Sequence, residues 1–374
     1  MKPLPYNKDT QRKKSTQQAK ALKPMAICLM LFSGCTCSKQ SPLKAYRYTP
    51  PPPPPPQETW TWTKLNCAVL GPDVVVVNPQ NSNILYVGSS KDSGCVLKSA
   101  DGGNSFTQIW NRPVFDLALD PGNTGVVYAA GLTNGIWRSR DGGNTWVQLT
   151  PLYGEFIRPD RFDSSYIYAG PWRSTDYGVS WSRSVPYLIT PTEVSGLDQS
   201  RQNPNLLYAG WHASGGGRVY KSIDRGGSWT TVRGAVGEIY QVLVSPFNDQ
   251  YVFADISRGT GDSLARTTDG GTSWTNFAIG PGISLAAGLA VDPRPGMGNI
   301  LYAGGNITQT SEKKGVYRST NGGETWEQIG LQGIPVWNLT VDPTAPTNMT
   351  ILYAVSNSNG APTDGLYRGE LTKP

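Results

Sequence analysis

Val126-Val-Tyr128-Ala-Ala130, followed by Ser139-Arg-Asp141-Gly-Gly143-Asn-Thr-Trp146, is one copy of a pattern that recurs along the 374-residue chain. The apolar run with its central aromatic appears seven times, at Tyr86, Tyr128, Tyr168, Tyr208, Phe253, Tyr302 and Tyr353, and six of the seven are followed by the second signature. Copies are separated by about 35 to 52 residues. A fixed unit of that size, too small to bury its own apolar face, must stack on its neighbours, and the period is that of a propeller blade.

Working outward, each unit holds four strand-like runs, as in Phe115–Leu119, Val126–Ala130, Gly135–Ser139 and Trp146–Leu149, set apart by Asp, Pro, Gly and Asn turns. Four such runs make one antiparallel blade. The first run often ends in a turn signal, Asn78-Pro79, Asp120-Pro121, Asp292-Pro293 or Asp342-Pro343, which accounts for those carboxylates without any chemistry. With 43 Gly, 30 Pro, 12 Trp and 18 Tyr the composition also suits short strands and turns rather than helices. The expected fold is all-β: a single seven-bladed β-propeller spanning residues 58–374.

The last unit, ending at Gly365-Leu-Tyr-Arg-Gly-Glu-Leu371, lacks a fourth run. Trp62-Thr-Lys-Leu65 copies the fourth-run pattern of Trp146-Val-Gln-Leu149 and Trp326-Glu-Gln-Ile329, so the N-terminal strand is expected to complete the last blade. Closure of this kind hides sheet edges that would otherwise recruit other strands.

The second signature resembles the Asp-box, or bacterial neuraminidase repeat, Ser-x-Asp-x-Gly-x-x-Trp. Its copies place Asp101, Asp141, Asp176, Asp224, Asp269 and Asn321 at the acidic position, with Phe106 once replacing the Trp. These residues are expected to be structural, the side-chain oxygen accepting N–H bonds within a tight turn. The resemblance covers nearly all of the repeat region and implies the WD40/YVTN/BNR-like superfamily of propellers, shared by sialidases, xyloglucanases, sortilin-type receptors and photosystem II assembly factors. A fold shared so widely does not decide function.

Ahead of the repeats, a basic stretch to Lys23, an apolar core from Met25 to Ser33 and then Gly34-Cys35 resemble a bacterial lipoprotein signal, with Cys35 as the lipidated residue. Residues 36–57, with seven consecutive prolines from Pro50 to Pro56, read as a disordered, extended tether. The protein is expected to be exported, either as a membrane-anchored lipoprotein of the bacterial cell envelope or secreted, with membrane attachment only through this anchor. The formal charge of +6 comes from the same region: residues 1–47 carry 10 Lys and Arg against one acid, leaving 23 against 26 in the remainder. A net charge near −3 on the folded part argues against nucleic acid as a partner.

In this wiring the loops entering each first strand, and those joining second to third strands, share one face. Non-repeating residues expected there include Arg112, Arg158, Trp172, Trp211, His212 and Trp337, together with Glu155, Glu193 and Glu238 from successive blades. The tryptophans stack on sugars or clamp a peptide in a binding reading, and pack the blades in a structural one. Two of the glutamates, if suitably spaced, make the acid and base of a glycosidase. His212 is the only histidine, which argues against a histidine-rich metal site, and no phosphate-binding glycine loop stands outside the boxes. No metal or cofactor is therefore expected. Cys67 and Cys95, both assigned to blade one, are candidates for a disulfide in an exported protein.

Phe156-Ile-Arg158-Pro159 scrambles the Phe-Arg-Ile-Pro arginine motif of sialidases, and xyloglucanases of this type set paired aspartates between two propellers where this sequence supplies one. The reading that follows is a monomeric, lipid-anchored propeller without chemistry of its own, acting as a binding or assembly scaffold for a protein or polysaccharide, with Arg158, Trp172, Trp211, His212 and Trp337 in the binding surface. The alternative is a glycoside hydrolase, xyloglucanase-like or sialidase-like, working through Glu155, Glu193 and Glu238.

Overall fold

Short runs bounded by turns form strands, 28 of them among the described residues. A computed structural model describes residues 58–69, 71–91, 94–131, 135–184, 194–212, 216–257, 263–279, 288–305, 313–358 and 360–372. Within these the strands group into seven four-stranded antiparallel sheets arranged around an axis. The innermost strands are β2 (Val74–Val77), β6 (Asp116–Leu119), β10 (Ile157–Pro159), β14 (Val194–Gln199), β18 (Val242–Val244), β22 (Leu289–Val291) and β26 (Asn338–Val341). All seven start on what we call the loop face and end on the box face. The anchor and tether segments, including Cys35, lie outside the described residues.

The seven repeated aromatics explain the packing. Each lies in the second strand of its blade and is at most 2% exposed. They belong to seven apolar clusters, one per interface between neighbouring blades; Tyr86 with Val74 and Val96, for example, meets Leu117, Val127 and Ala129 of the next blade. The core is thus seven wedges rather than one centre. Complete burial of one such aliphatic or aromatic side chain contributes roughly 1.5–3 kcal/mol, so a blade is held mainly by its neighbours.

The Asp-boxes close the turns between third and fourth strands. In the first, Ser99 Oγ donates to Asp101 Oδ1 at 2.8 Å and accepts from Gly103 N–H at 2.9 Å, while Ser105 donates its N–H to Asp101 Oδ1 and its hydroxyl to Oδ2. These donors hold Asp101, Asp141, Asp176, Asp224 and Asp269 down at a pKa of about 2, the hydroxyl and N–H of the residue four positions on being the leading causes. The fourth box position takes positive φ throughout, and two boxes accept a side chain there: Tyr177 (62°) and Arg225 (54°).

That same position carries the link between blades. Its carbonyl accepts from the buried tyrosine and from a cation of the preceding blade: Tyr86 and Lys98 reach Gly142 O at 3.2 and 2.9 Å, and Tyr208 and Lys221 reach Gly270 O at 3.0 and 2.9 Å. Tyr168 and Arg173 do the same to Arg225 O, Arg138 to Tyr177 O and Arg266 to Gly322 O. Tyr353 of blade seven completes the circuit on Gly102 O of blade one at 3.4 Å. Six straps result, one for each box.

Blade seven has no box, and β1 (Thr59–Lys64) takes its place. It pairs antiparallel with β28 (Gly365–Thr372) along its whole length, from Thr59 opposite Thr372 to Lys64 opposite Tyr367, as the Trp-x-x-Leu pattern predicted. Arg318 of blade six, buried and without a box to reach, pairs instead with Glu58 at 2.6 Å. Trp62 donates its indole N–H to Ile329 O at 2.9 Å, stacks on Trp60 at 6.0 Å, and lies flat against two glycines. A Cβ on Gly369 would stand 2.6 Å from its ring and one on Gly330 2.1 Å from its Nε1. Both positions have room for Gly only because the indole occupies the rest.

Cys67 and Cys95 do share blade one, but the expected bridge is not formed: both are free thiols packed among the same aliphatic side chains. Burial pushes Cys67 up to about 11 and raises Cys95 as well, which favours the protonated thiols.

Candidate glycan site on the loop face

The loop entering β18 is fixed by its own backbone. Glu238 exchanges two 2.8 Å N–H bonds with Ser257, and Tyr240 and Gln241 donate their N–H groups to Asp255 Oδ1 at 2.9 and 2.6 Å. Tyr240 then donates its hydroxyl to Glu238 Oε2 at 2.5 Å, and its ring stacks on His212 at 5.4 Å and 19°. The His212 Nδ1 is buried without a hydrogen-bond partner among the described residues. A carboxylate, a phenol and the chain's only imidazole therefore converge where blades four and five meet.

A second, similar unit lies at blade three. Tyr153 donates its hydroxyl to Glu155 Oε1 at 2.5 Å. Burial, reinforced by that carboxylate, pushes the Tyr153 hydroxyl well above its usual range, so it remains a proton donor. Beside it, Asp116 accepts N–H bonds from Leu117 at 3.0 Å and from Ile157 at 2.9 Å, and pairs with the Arg158 guanidinium. Burial raises the Asp116 carboxyl and outweighs the lowering by Arg158. Asp116 is a latch between β6 and β10; Gln241 plays the same part between β18 and β22 by accepting from Leu289 N–H at 2.8 Å.

The expected binding residues separate. Trp172 opens β12 (Trp172–Ser174), and Trp337 immediately precedes β26; both are half-buried on the loop face with indole N–H groups that meet no partner among the described residues. Trp211, at the end of β15 (Leu207–Trp211), is instead buried in the wedge between blades three and four, with Arg218 over its ring at 5.1 Å, so packing claims it. Arg158 is a residue of β10 rather than of a loop, and its guanidinium is held by Asp116 and by Ile157 O. Arg112 is exposed and lies over Trp137 at 5.0 Å. Glu193 lies outside the described residues. Sequence reasoning passed over Tyr153, Tyr240 and Asp255, although Tyr153-x-Glu155 and Glu238-x-Tyr240 carry a visible signal, a phenol two residues from each glutamate.

Ring, straps and boxes together define a class, the closed seven-bladed propeller with Asp-boxes. The chain fits the BNR/WD40-like propeller superfamily. A family profile described as Sortilin-Vps10 (Sortilin, neurotensin receptor 3) matches residues 217–363. A xyloglucanase of Hypocrea jecorina is 26% identical over 320 residues, covering 76% of this chain and 34% of the enzyme. Among solved structures, the GH74 enzyme of Niastella koreensis superposes with a TM-score of 0.58 at 20% identity over 79% of this chain and 52% of that one. YCF48 from Cyanidioschyzon merolae gives 0.57 at 13% identity over 84% and 98%; at these identities the structures show the fold alone. The chain spans 26 to 36% of the length of the curated relatives it matches. Those relatives are glycoside hydrolases, and they overturn the expectation of a scaffold without chemistry in favour of the hydrolase alternative.

Proposed function

We propose that this propeller is a glycoside hydrolase acting on a β-glucan of the xyloglucan type. The observation that carries the proposal is the likeness to xyloglucanases across most of the chain. The loop face supports it with two tyrosine-held glutamates and two half-buried tryptophans.

Hydrolysis of a glycosidic bond needs one carboxylic acid to protonate the leaving oxygen and one carboxylate to activate water or attack the anomeric carbon. Glu155 and Glu238 fill these roles in our reading. Tyr153 and Tyr240 fix the carboxyl orientations by short hydrogen bonds, which saves the ordering that a mobile side chain would need before reaction. Trp172 and Trp337 offer aromatic faces for the sugar rings on either side of the cut.

The test is release of reducing ends from tamarind xyloglucan by the purified full chain. Glu155→Gln and Glu238→Gln should each lower turnover on the order of 10²-fold or more, the usual worth of a positioned acid or base. Turnover that survives both substitutions unchanged, or a wild-type chain inert on xyloglucan and on other β-glucans, would discard the assignment.

A further inference from the structure

The box face carries a cavity that neither the straps nor the loop-face chemistry uses. It has a volume of about 390 Å³ and lies between the turn that follows β18 and the turn that follows β22, lined by Phe247, Asn248, Tyr251, Gly296, Gly298 and Asn299. That volume is within the range of small-molecule sites, roughly 300–1,000 Å³.

The turn after β18 carries Phe247, 41% exposed, where blade three also has a phenylalanine, Phe162, and blades one and two have Gln80 and Gly122. The turn after β22 is the one that departs, being longer than those of blades one to five. Gly298 backs this ring: a Cβ there would stand 2.5 Å from Phe247 Cδ2. Gly296, at φ +78°, has nothing within 4 Å of its missing Cβ, which leaves the mouth open. Tyr251, like Tyr166 of blade three, stands where Ile84, Val126 and Leu206 are aliphatic, and it brings a hydroxyl to the wall.

The polar groups have unused capacity. Asn248 accepts from Gln250 N–H through Oδ1 at 2.9 Å, leaving its amide N–H groups to donate. The Asn299 side chain and the Tyr251 hydroxyl make no hydrogen bond to the described residues, while the Asn299 carbonyl is fixed by Gly322 N–H. Among the described residues, no charged side chain lines the space. Arg294, the nearest cation in sequence, turns inward and is buried against Asp292 and Thr350.

We infer that this cavity binds an uncharged sugar ring. Aromatic faces match the C–H face of a pyranose, primary amides and a phenol match its hydroxyls in both donor and acceptor roles, and the absence of charge disfavours uronic acids and phosphates. The inference does not depend on hydrolysis, because the site lies on the opposite face from Glu155 and Glu238.

Saturation-transfer NMR on the full chain, with methyl β-D-glucopyranoside, methyl β-D-xylopyranoside and methyl β-D-galactopyranoside as probes, tests it. At least one probe should receive saturation, and its affinity should fall about tenfold in Phe247→Ala and in Asn299→Ala, each removing a contact worth about 1.4 kcal/mol. Transfer should persist in a Trp172→Ala/Trp337→Ala double variant, which removes the aromatic faces offered to sugars on the loop face and so separates the two sites. D-glucuronate should compete more weakly than glucose. Absence of transfer to all three probes overturns the inference, as does transfer that is unchanged in both cavity variants. Should Phe247→Ala unfold, the exposed Asn299 substitution alone decides.

Discussion

The seal between β1 and the last blade includes one indole seated on two glycines, and a double-mutant cycle can isolate its share. Trp62→Ala removes a half-buried ring that stacks on Trp60 and donates to Ile329 O. Full burial would make the loss about 3–5 kcal/mol; the ring's partial exposure reduces that to about 2–3 kcal/mol, against a total stability of roughly 5–15 kcal/mol for a domain. Gly369→Ala attacks the same contact from below, since its Cβ would stand 2.6–2.7 Å from three ring carbons, so the indole must leave its seat. About 2 kcal/mol is expected, the ordinary cost of overpacking. The three atoms nearest the added methyl all belong to the indole, so once the ring is gone the double variant should be about as stable as Trp62→Ala alone. The coupling energy is then about 2 kcal/mol, read from urea midpoints followed by far-ultraviolet circular dichroism. Additive losses would refute the reasoning, because they would mean that Gly369 is needed for some reason other than the ring above it.

Four further outcomes follow from the boxes, the straps and the seam. The five box aspartates are held near 2 in the folded chain and titrate near 3.9 when unfolded; their contribution is complete above that unfolded value and is lost as pH falls from about 4 to about 2, so thermal midpoints should drop through that window and be flat above it. Asn321→Asp should fold normally, with Thr325 reversing from acceptor to donor, and a calorimetric midpoint far below wild type would contradict the turn geometry. Glu58→Gln should cost about 1–2 kcal/mol by weakening the partner of a buried guanidinium, discounted because Glu58 is itself 41% exposed; denaturant titration measures it, and no loss at all would mean that Arg318 is satisfied elsewhere. Tyr208→Phe should cost about 1 kcal/mol for its buried bond to Gly270 O, whereas Tyr302→Phe, whose hydroxyl has no box carbonyl to meet, should cost less.

The architecture was legible because its signals are periodic. Seven aromatics at one register position and six boxes gave blade number and strand number, and Trp62-Thr-Lys-Leu65 gave the closure. The straps were not legible, since a carbonyl has no letter: nothing in the residue at position 142 or 270 says that its oxygen serves the blade before it. On the loop face the glutamates were visible as departures from the repeat, but their phenol partners were not singled out. Trp211 illustrates the converse error. A tryptophan at a strand end looks free in sequence, yet Phe156 and Tyr220 from two blades enclose it. The scaffold expectation fell for a similar reason: the sialidase and xyloglucanase layouts were sought as fixed motifs, whereas the likeness to xyloglucanases is spread thinly along the chain.

The straps also change what counts as a repeat. Each joins the second-strand tyrosine, the third-strand cation or both of one blade to a turn of the next, so a cut between blades always separates a donor from its acceptor. A strap runs from the second or third strand of one sheet past the first three strands of the next to reach its turn, as from Tyr86 or Lys98 to Gly142, so no stretch one repeat long holds both donor and acceptor. A ring of six or eight such blades would regenerate a strap at each junction onto a boxed blade, the exception being the joint where Glu58 stands in for the missing turn. The joint between blades six and seven is thus the one place among the described residues where a side-chain carboxylate does what a turn carbonyl does elsewhere.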